Sequence, residues 1–271
     1  MPLIPLRLPP PAWNALVDRL RAAGCVFAED EARLLCSAAD TTRSLDRLVA
    51  RRAAGHPLEQ VIGYSEFGGL RITVRPGVFV PRRRTEFLAR LAADAVRPGT
   101  VIAELCCGTG AVGAVIAHAA DGPVVLHATD LDPVAVACAR DNLADVGGHA
   151  HLGDLYEPLP AELRGAVDIV IANAPYVPTG EIPLLPTEAR LHEPRAALDG
   201  GHDGLDIQRR LIAEAPRWLA PYGKLFVETS ARQAAGTAAA CQQAGLRPSV
   251  AESEPHDATV VIARRGAPPA T

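Results

Sequence analysis

The chain has 271 residues, 48% of them hydrophobic, with 27 basic and 31 acidic side chains and a formal net charge of −4. This length suffices for one substantial core and a smaller one, and the slightly acidic balance argues against a protein that holds nucleic acid by charge alone. No apolar run approaches the roughly 20 residues that cross a bilayer, and the six cysteines (Cys25, Cys36, Cys106, Cys107, Cys138 and Cys241) show neither C-x-x-C spacing nor a secretory leader before them. The expectation is a cytoplasmic α/β enzyme with reduced thiols, no membrane association and no metal.

A proline-rich start, Pro2 to Pro11, leads into three short amphipathic helices. Trp13, Leu16, Val17 and Leu20 share one helical face, Ala32, Leu35, Cys36 and Ala39 a second, and Leu45, Leu48 and Val49 a third. These predict a small helical domain over residues 1–54, either a substrate-docking unit or a structural cap. Residues 55–80 read as a connecting β-hairpin turning at Phe67-Gly68-Gly69-Leu70. From residue 81 strand and helix signals alternate to the C-terminus. The last two runs, Leu246 to Val250 and Thr259 to Ala263, predict an antiparallel hairpin at a sheet edge, and a short Gly/Pro/Ala tail follows. Trp218 and Leu219 before Pro221-Tyr222-Gly223 read as helix core and helix stop, and His192 and His202 as solvated loop histidines.

Within the 81–271 unit, Val101 to Gly113 reads V-I-A-E-L-C-C-G-T-G-A-V-G. Gly108-x-Gly110-x-x-Gly113 formally fits the dinucleotide fingerprint, and Asp130 falls where a ribose-binding acid belongs. A dehydrogenase is thus one reading. Glu104 weighs against it, because a carboxylate four residues before Gly108, with no Lys or Arg nearby, repels a pyrophosphate and favours a ligand carrying an ammonium and a sulfonium. Strand-like runs then end at successive acids. Val124 to Thr129 ends at Asp130, with Asp132-Pro133 capping a helix through Asn142; a weak strand at His149 to Leu152 ends at Gly153-Asp154-Leu155. Ligands of open α/β sheets bind outside the carboxyl ends of the strands. Asp130 can accept from ribose hydroxyls there, and Asp154 from an adenine amino group.

The strand-like run Val167 to Ala172 ends in Asn173-Ala174-Pro175-Tyr176. A carboxamide, a directed peptide carbonyl and an aromatic face are equipment for gripping a planar NH2 group: the Asn173 side-chain oxygen accepts one N–H, the carbonyl of Asn173 or Ala174 the other, and Tyr176 packs on the flat face. Pro175 biases Ala174 towards extended backbone, which aims that carbonyl.

Several segments together resemble the HemK/PrmC class of S-adenosylmethionine-dependent protein-(glutamine-N5) methyltransferases over nearly the whole chain. They are Pro57-Leu58-x-Gln60-x-Ile62-Gly63, Glu66-Phe67-x-Gly69-Leu70, Pro76-Gly77-Val78-Phe79-Val80-Pro81-Arg82, the Glu104 loop, Gly153-Asp154-Leu155-Tyr156-Glu157-Pro158-Leu159, Asn173-x-Pro175-Tyr176, and His192-Glu193-Pro194-Arg195-x-Ala197-Leu198-x-Gly200-Gly201-x-Asp203-Gly204-Leu205. The resemblance implies a class I methyltransferase fold, a doubly wound and mostly parallel sheet with a C-terminal antiparallel hairpin beside a small N-terminal helical domain. It implies that Asn173, Ala174, Pro175 and Tyr176 hold a glutamine amide of a protein substrate, a release factor or a ribosomal protein. Glu104, Cys106, Gly108, Gly110, Asp130, Leu131, Asp154, Leu155, Asn173 and Thr85 are the corresponding cofactor set. Three departures suggest a paralogue: Ala174 replaces a proline of the usual Asn-Pro-Pro-Tyr, Arg83 and Arg84 replace a proline and an acid after Pro81-Arg82, and Glu104 and Cys106 replace an aspartate and a glycine. Two other readings stay open, an adenine amino-methyltransferase and a non-catalytic cofactor-binding partner protein.

Overall fold

The computed structural model describes residues 6–266. The outer part of the proline-rich start and the Gly/Pro/Ala tail lie outside the described residues. Helices α1 (Pro10–Ala22), α2 (Ala28–Ala38) and α3 (Thr42–Ala53) form a three-helix unit around Leu20, Ala32, Leu35 and Val49. α3 opens on a reciprocal cap, Thr41 accepting from Ser44 N–H while Ser44 accepts from Thr41 N–H, which satisfies donors the helix cannot. A short helix, α4 (Leu58–Ile62), precedes the hairpin of β1 (Tyr64–Phe67) and β2 (Leu70–Thr73); five residues show too little periodicity to be read from sequence. Gly68 and Gly69 turn the hairpin with φ of +55° and +80°, the left-handed region that a tight two-residue connection requires. The carboxamide of Asn142 then pins β2, accepting from Thr73 N–H at 2.8 Å and donating to the Thr73 carbonyl at 3.0 Å.

After α5 (Thr85–Ala93), strands β3 (Val101–Leu105), β4 (Val125–Asp130), β5 (His149–Leu152) and β6 (Val167–Ala172) alternate with α6 (Ala111–Ala119) and α7 (Pro133–Leu143). The chain continues through α8 (Thr187–His192), α9 (Asp206–Trp218), β7 (Leu219–Thr229), α10 (Ala234–Gln243), β8 (Arg247–Ser253) and β9 (Ala258–Arg264). The sheet order is β5-β4-β3-β6-β7-β9-β8, parallel from β5 to β7 and antiparallel where β9 inserts between β7 and β8. The doubly wound sheet with its C-terminal antiparallel hairpin is therefore present. Both faces are buried, one under α5, α6 and α7 and the other under α9 and α10, which explains strands reading as continuous apolar runs rather than alternating ones. The order reverses between β3 and β6, and that switch point opens a crevice at their carboxyl ends.

One expectation fails locally. α9 stops at Trp218, but β7 begins at the next residue, and Pro221-Tyr222-Gly223 lie inside the strand instead of ending the helix. There the pairing with β6 slips, from Val167 opposite Leu219 to Ile169 opposite Lys224, and Tyr222 takes φ of +64°. Proline and glycine act here as bulge residues.

Candidate active site

A cavity of about 880 Å³ runs along the carboxyl ends of β3, β4 and β6 and past Asp154. The segment from Cys106 to Thr109 lines it, whereas Gly110, expected in the cofactor set, turns away and packs against Ala139 and Leu143. Cys106, Gly108 and Gly110 all have left-handed backbone, φ of 53°, 54° and 72°. Cys106 thus occupies a conformation that glycine adopts freely and that costs another residue about 1–2 kcal/mol, so the loop keeps its path at the price of local strain. Burial and the nearby Asp130 and Asp154 carboxylates push the Cys106 thiol well above its ordinary range, so it is an inert thiol.

Glu104 shares the sheet face of Ile102, by the two-residue period of a strand, and so points at α6. Its Oε2 accepts from Gly113 N–H at 2.9 Å, and a Cβ on Gly113 would lie 2.5 Å from that oxygen. The third glycine of the fingerprint thus makes room for the longer acid at position 104. Asp130, at the end of β4, ties two loops together: Oδ2 accepts from Gly108 N–H at 2.8 Å and Oδ1 from Asp132 N–H at 2.9 Å. Burial raises its pKa, and these two N–H donors oppose the rise. Leu131 projects beside the cavity with 61% of its surface exposed, and Leu155 is buried with φ of 47°. Asp154 lines the cavity too, but one of its oxygens is engaged by Arg210 at 2.5 Å, leaving the other for a ligand.

At the other end of the cavity, β6 delivers Asn173, Ala174, Pro175 and Tyr176. Asn173 Nδ2 donates to Thr85 Oγ1 at 3.2 Å, which places Thr85 behind the asparagine as well as on the cavity wall. Burial and Glu228 push the Tyr176 hydroxyl up to about 12, so it stays a neutral donor. The long segment from His192 to Leu205 has a clear physical role here. Leu198 carbonyl accepts from Val177 N–H at 3.0 Å, Gly200 N–H donates to Val177 carbonyl at 2.9 Å, and Gln233 Nε2 bridges the carbonyls of Tyr176 and Asp203 at 2.9 Å each. The segment is a buttress for the Asn173 turn.

One sequence reading changes. Arg82 clamps the buried Glu193 carboxylate at 2.6 Å, and Arg84, though partly solvated, lies 3.6 Å from Glu228 with its guanidinium over the Tyr176 ring. Arg83 and Arg84 remain exposed. His192 is not solvated; its ring packs at a tilt on His56, with centroids 4.1 Å apart, and its Nε2 is buried, while His202 is exposed as expected. No group of three or more potential metal ligands converges among the described residues.

Residues 69–201 match the family described as Methyltransferase small domain. A release factor glutamine methyltransferase of Bradyrhizobium diazoefficiens is 35% identical over 246 residues, covering 82% of each chain. The chain belongs to the release factor glutamine methyltransferase family. The relative of that name from Geobacter sulfurreducens is 37% identical over 189 residues, 69% of this chain and 65% of its own length, so the match spans slightly under two thirds of that protein. The fold is shared with the solved Mtq2-Trm112 complex of E. cuniculi, at a TM-score of 0.50 and 20% identity, covering 70% of this chain and 99% of that one. Family membership and the β5-β4-β3-β6-β7-β9-β8 order agree on a class I S-adenosylmethionine-dependent methyltransferase fold.

Sequence reasoning missed Glu228 and Gln233, which the fold brings to the back of the Asn173 turn. Glu228 left a signal, an acid inside the apolar run Lys224 to Thr229 of a strand buried on both faces. Gln233 left none, because a glutamine at the start of a helix is ordinary.

Proposed function

We propose that this chain methylates the side-chain amide nitrogen of a glutamine in a peptide-chain release factor, with S-adenosylmethionine as methyl donor, in the cytoplasm. The observation that carries the reading is the Asn173-Ala174-Pro175-Tyr176 turn, held at one end of a cavity whose other end is lined by Glu104, Asp130 and Asp154. The cofactor fits that donor set. Arg82 and Arg84 are the only basic residues lining the cavity among the described residues, both sit at the Tyr176 end, and the glycine loop offers no cationic partner for a pyrophosphate. Glu104 would face the cationic methionine portion, Asp130 the ribose, and Leu131 and Asp154 the adenine. The bound cofactor supplies an electrophilic methyl on a sulfonium. The chain's own residues supply orientation. An amide nitrogen is a weak nucleophile because its lone pair is delocalised, and holding both of its N–H bonds on the Asn173 side-chain oxygen and a peptide carbonyl turns that lone pair outward. Such positioning contributes up to about 7–11 kcal/mol. Two acceptors also reject a glutamate carboxylate, which has no proton to donate. Tyr176 packs on the amide plane and, with its raised pKa, removes no proton; the N–CH3 bond would form as the S–CH3 bond breaks to leave a neutral thioether, and the proton shed by the methylated nitrogen would pass to solvent.

Release factors are the preferred substrate because a glutamine flanked by glycines can enter a narrow cleft without steric conflict; a ribosomal protein is second. The helices α1 to α3 are proposed to dock that protein. Arg82 and Arg84 are committed to buried acids, which disfavours a nucleic-acid substrate. Incubation of the protein with labelled S-adenosylmethionine and cell extract should label a band sensitive to protease and resistant to nuclease. Label confined to nucleic acid would transfer the assignment to adenine methylation.

Two binding results follow. Asp130→Ala should weaken cofactor affinity by about 1.5–3 kcal/mol, the value of hydrogen bonds to a charged group, measured by calorimetry. An unchanged affinity would remove Asp130 from the ribose site. Glu104 gives a pH dependence: burial pushes it from 4.5 up to about 8, opposed by the Gly113 N–H. Between those two values the folded chain retains a proton that the unfolded chain releases, so this group's contribution to stability falls as pH rises across that window. A cationic ligand favours the ionised form. Cofactor affinity should therefore rise with pH up to about 8, by at most about tenfold per unit, with proton release on binding at neutral pH. A flat affinity profile across that window would separate Glu104 from the cofactor.

A further inference from the structure

Behind the Asn173 carboxamide lies a buried carboxylate that the transfer reaction has not used. Glu228 sits on β7, next to β6 in the sheet, and is 1% exposed. Three groups from two other elements surround it, and a fourth is reached through one of them. The Tyr176 hydroxyl is 3.5 Å from Oε1, Arg84 Nε is 3.6 Å from the same oxygen, the Thr85 hydroxyl lies against the carboxylate, and Thr85 in turn accepts from Asn173 Nδ2 at 3.2 Å. Oε2 is buried without a partner of its own, leaving an acceptor to which the Thr85 rotor can turn.

The inventory of donors and acceptors gives this chain a direction. An ionised carboxylate only accepts, so a Thr85 hydroxyl turned towards Glu228 must give it its single proton. Thr85 then presents only lone pairs to Asn173, and a carboxamide facing lone pairs must turn its NH2 towards them. That leaves the Asn173 side-chain oxygen for the cavity. The network itself thus fixes which way the carboxamide faces. Burial raises the Glu228 pKa, while Thr85, Arg84 and Tyr176 all favour its charged form.

We propose that Glu228, acting through the Thr85 hydroxyl, locks the Asn173 carboxamide with its oxygen towards the acceptor pocket and so sets the preference of the site for an amide over a carboxylate. Glu228 and Thr85 are positioning residues; neither needs to touch the substrate. With the lock removed, Asn173 is free to flip. Its NH2 then faces the pocket, where it repels a glutamine NH2 and welcomes a glutamate carboxylate. The inference rests on the glutamine reading above.

The test compares Thr85→Val, Thr85→Ser and Glu228→Gln with the parent protein. Each is measured for cofactor affinity, for kcat/KM on a release factor bearing Gly-Gly-Gln, and for the affinity of that factor relative to its Gly-Gly-Glu counterpart. Thr85→Val keeps the shape and deletes the relay, so at saturating cofactor kcat/KM should fall by about tenfold or more and the preference for the glutamine form should shrink, whereas a loss of cofactor affinity alone would leave Thr85 in the cofactor set. Thr85→Ser should retain both rate and preference. Glu228→Gln offers a donor as well as an acceptor, and should behave like Thr85→Val; it carries the comparison alone if Thr85→Val melts below the assay temperature. A purely structural role would lower rate and stability without changing the glutamine-to-glutamate ratio. Variants that bind cofactor and keep the parental ratio overturn the proposal. A parent protein that methylates no glutamine overturns the function reading and this inference with it.

Discussion

Asn173→Ala is expected to reduce methyl transfer by a factor on the order of 10² to 10³, comparable to the loss of one oriented polar group at a reacting centre, while cofactor affinity stays within about threefold. The division follows from position. Asn173 emerges from β6 at the Tyr176 end of the cavity, with its amide held from behind by Thr85, whereas the acids proposed for the cofactor come from β3, β4 and the loop after β5. Alanine removes the side-chain oxygen proposed to accept the substrate N–H. It leaves the backbone carbonyls and the Gln233 bond to the Tyr176 carbonyl in place, so the turn should persist. Steady-state kinetics alongside calorimetry separate the effects, and a parallel collapse of affinity and turnover would mean that Asn173 belongs to the cofactor site.

Gly204→Ala should be the most destabilising single change in the buttress, by roughly 3 kcal/mol or more. Its φ is +77°, and an added Cβ would stand 2.3 Å from both the Tyr176 carbonyl oxygen and Gln233 Nε2. Backbone cannot step aside as a flexible side chain can. Gly69→Ala separates the two costs. It has a similar φ of +80° but nothing within 4 Å of the added carbon, so it carries the left-handed strain alone, about 1–2 kcal/mol. Denaturant unfolding of both variants should therefore show a clear gap between them. Equal losses would mean that conformation, and not the fit of the buttress against Tyr176, sets the cost at Gly204.

The alternation of strands and helices was legible because its signals are local: strand-like runs followed by Asp130, Asp154 and Asn173 each announce a strand end on the ligand side, while the order of the strands in the sheet was not read. Helical faces in α1 to α3 were legible for the same reason, through a period of 3.6. What stayed hidden depends on pairs far apart in the chain. Asn173 meets Thr85 across 88 residues and Tyr176 meets Glu228 across 52, and neither spacing leaves a pattern. The buried partners of Arg82 and Arg84, Glu193 and Glu228, likewise come from distant segments and leave no pattern. The misread stop at Pro221 shows a different limit. Proline and glycine punctuate the chain reliably, but whether they end an element or bulge a strand is decided by the neighbour, here β6.

The most direct test of the central claim is mass spectrometry of a purified release factor after incubation with this protein and S-adenosylmethionine. The expected result is the mass of one CH2 group added to the side chain of the glutamine in its Gly-Gly-Gln loop, absent when Asn173→Ala replaces the parent protein. An unmodified glutamine in the presence of measured cofactor binding, or a methyl group located on any other residue, would contradict it.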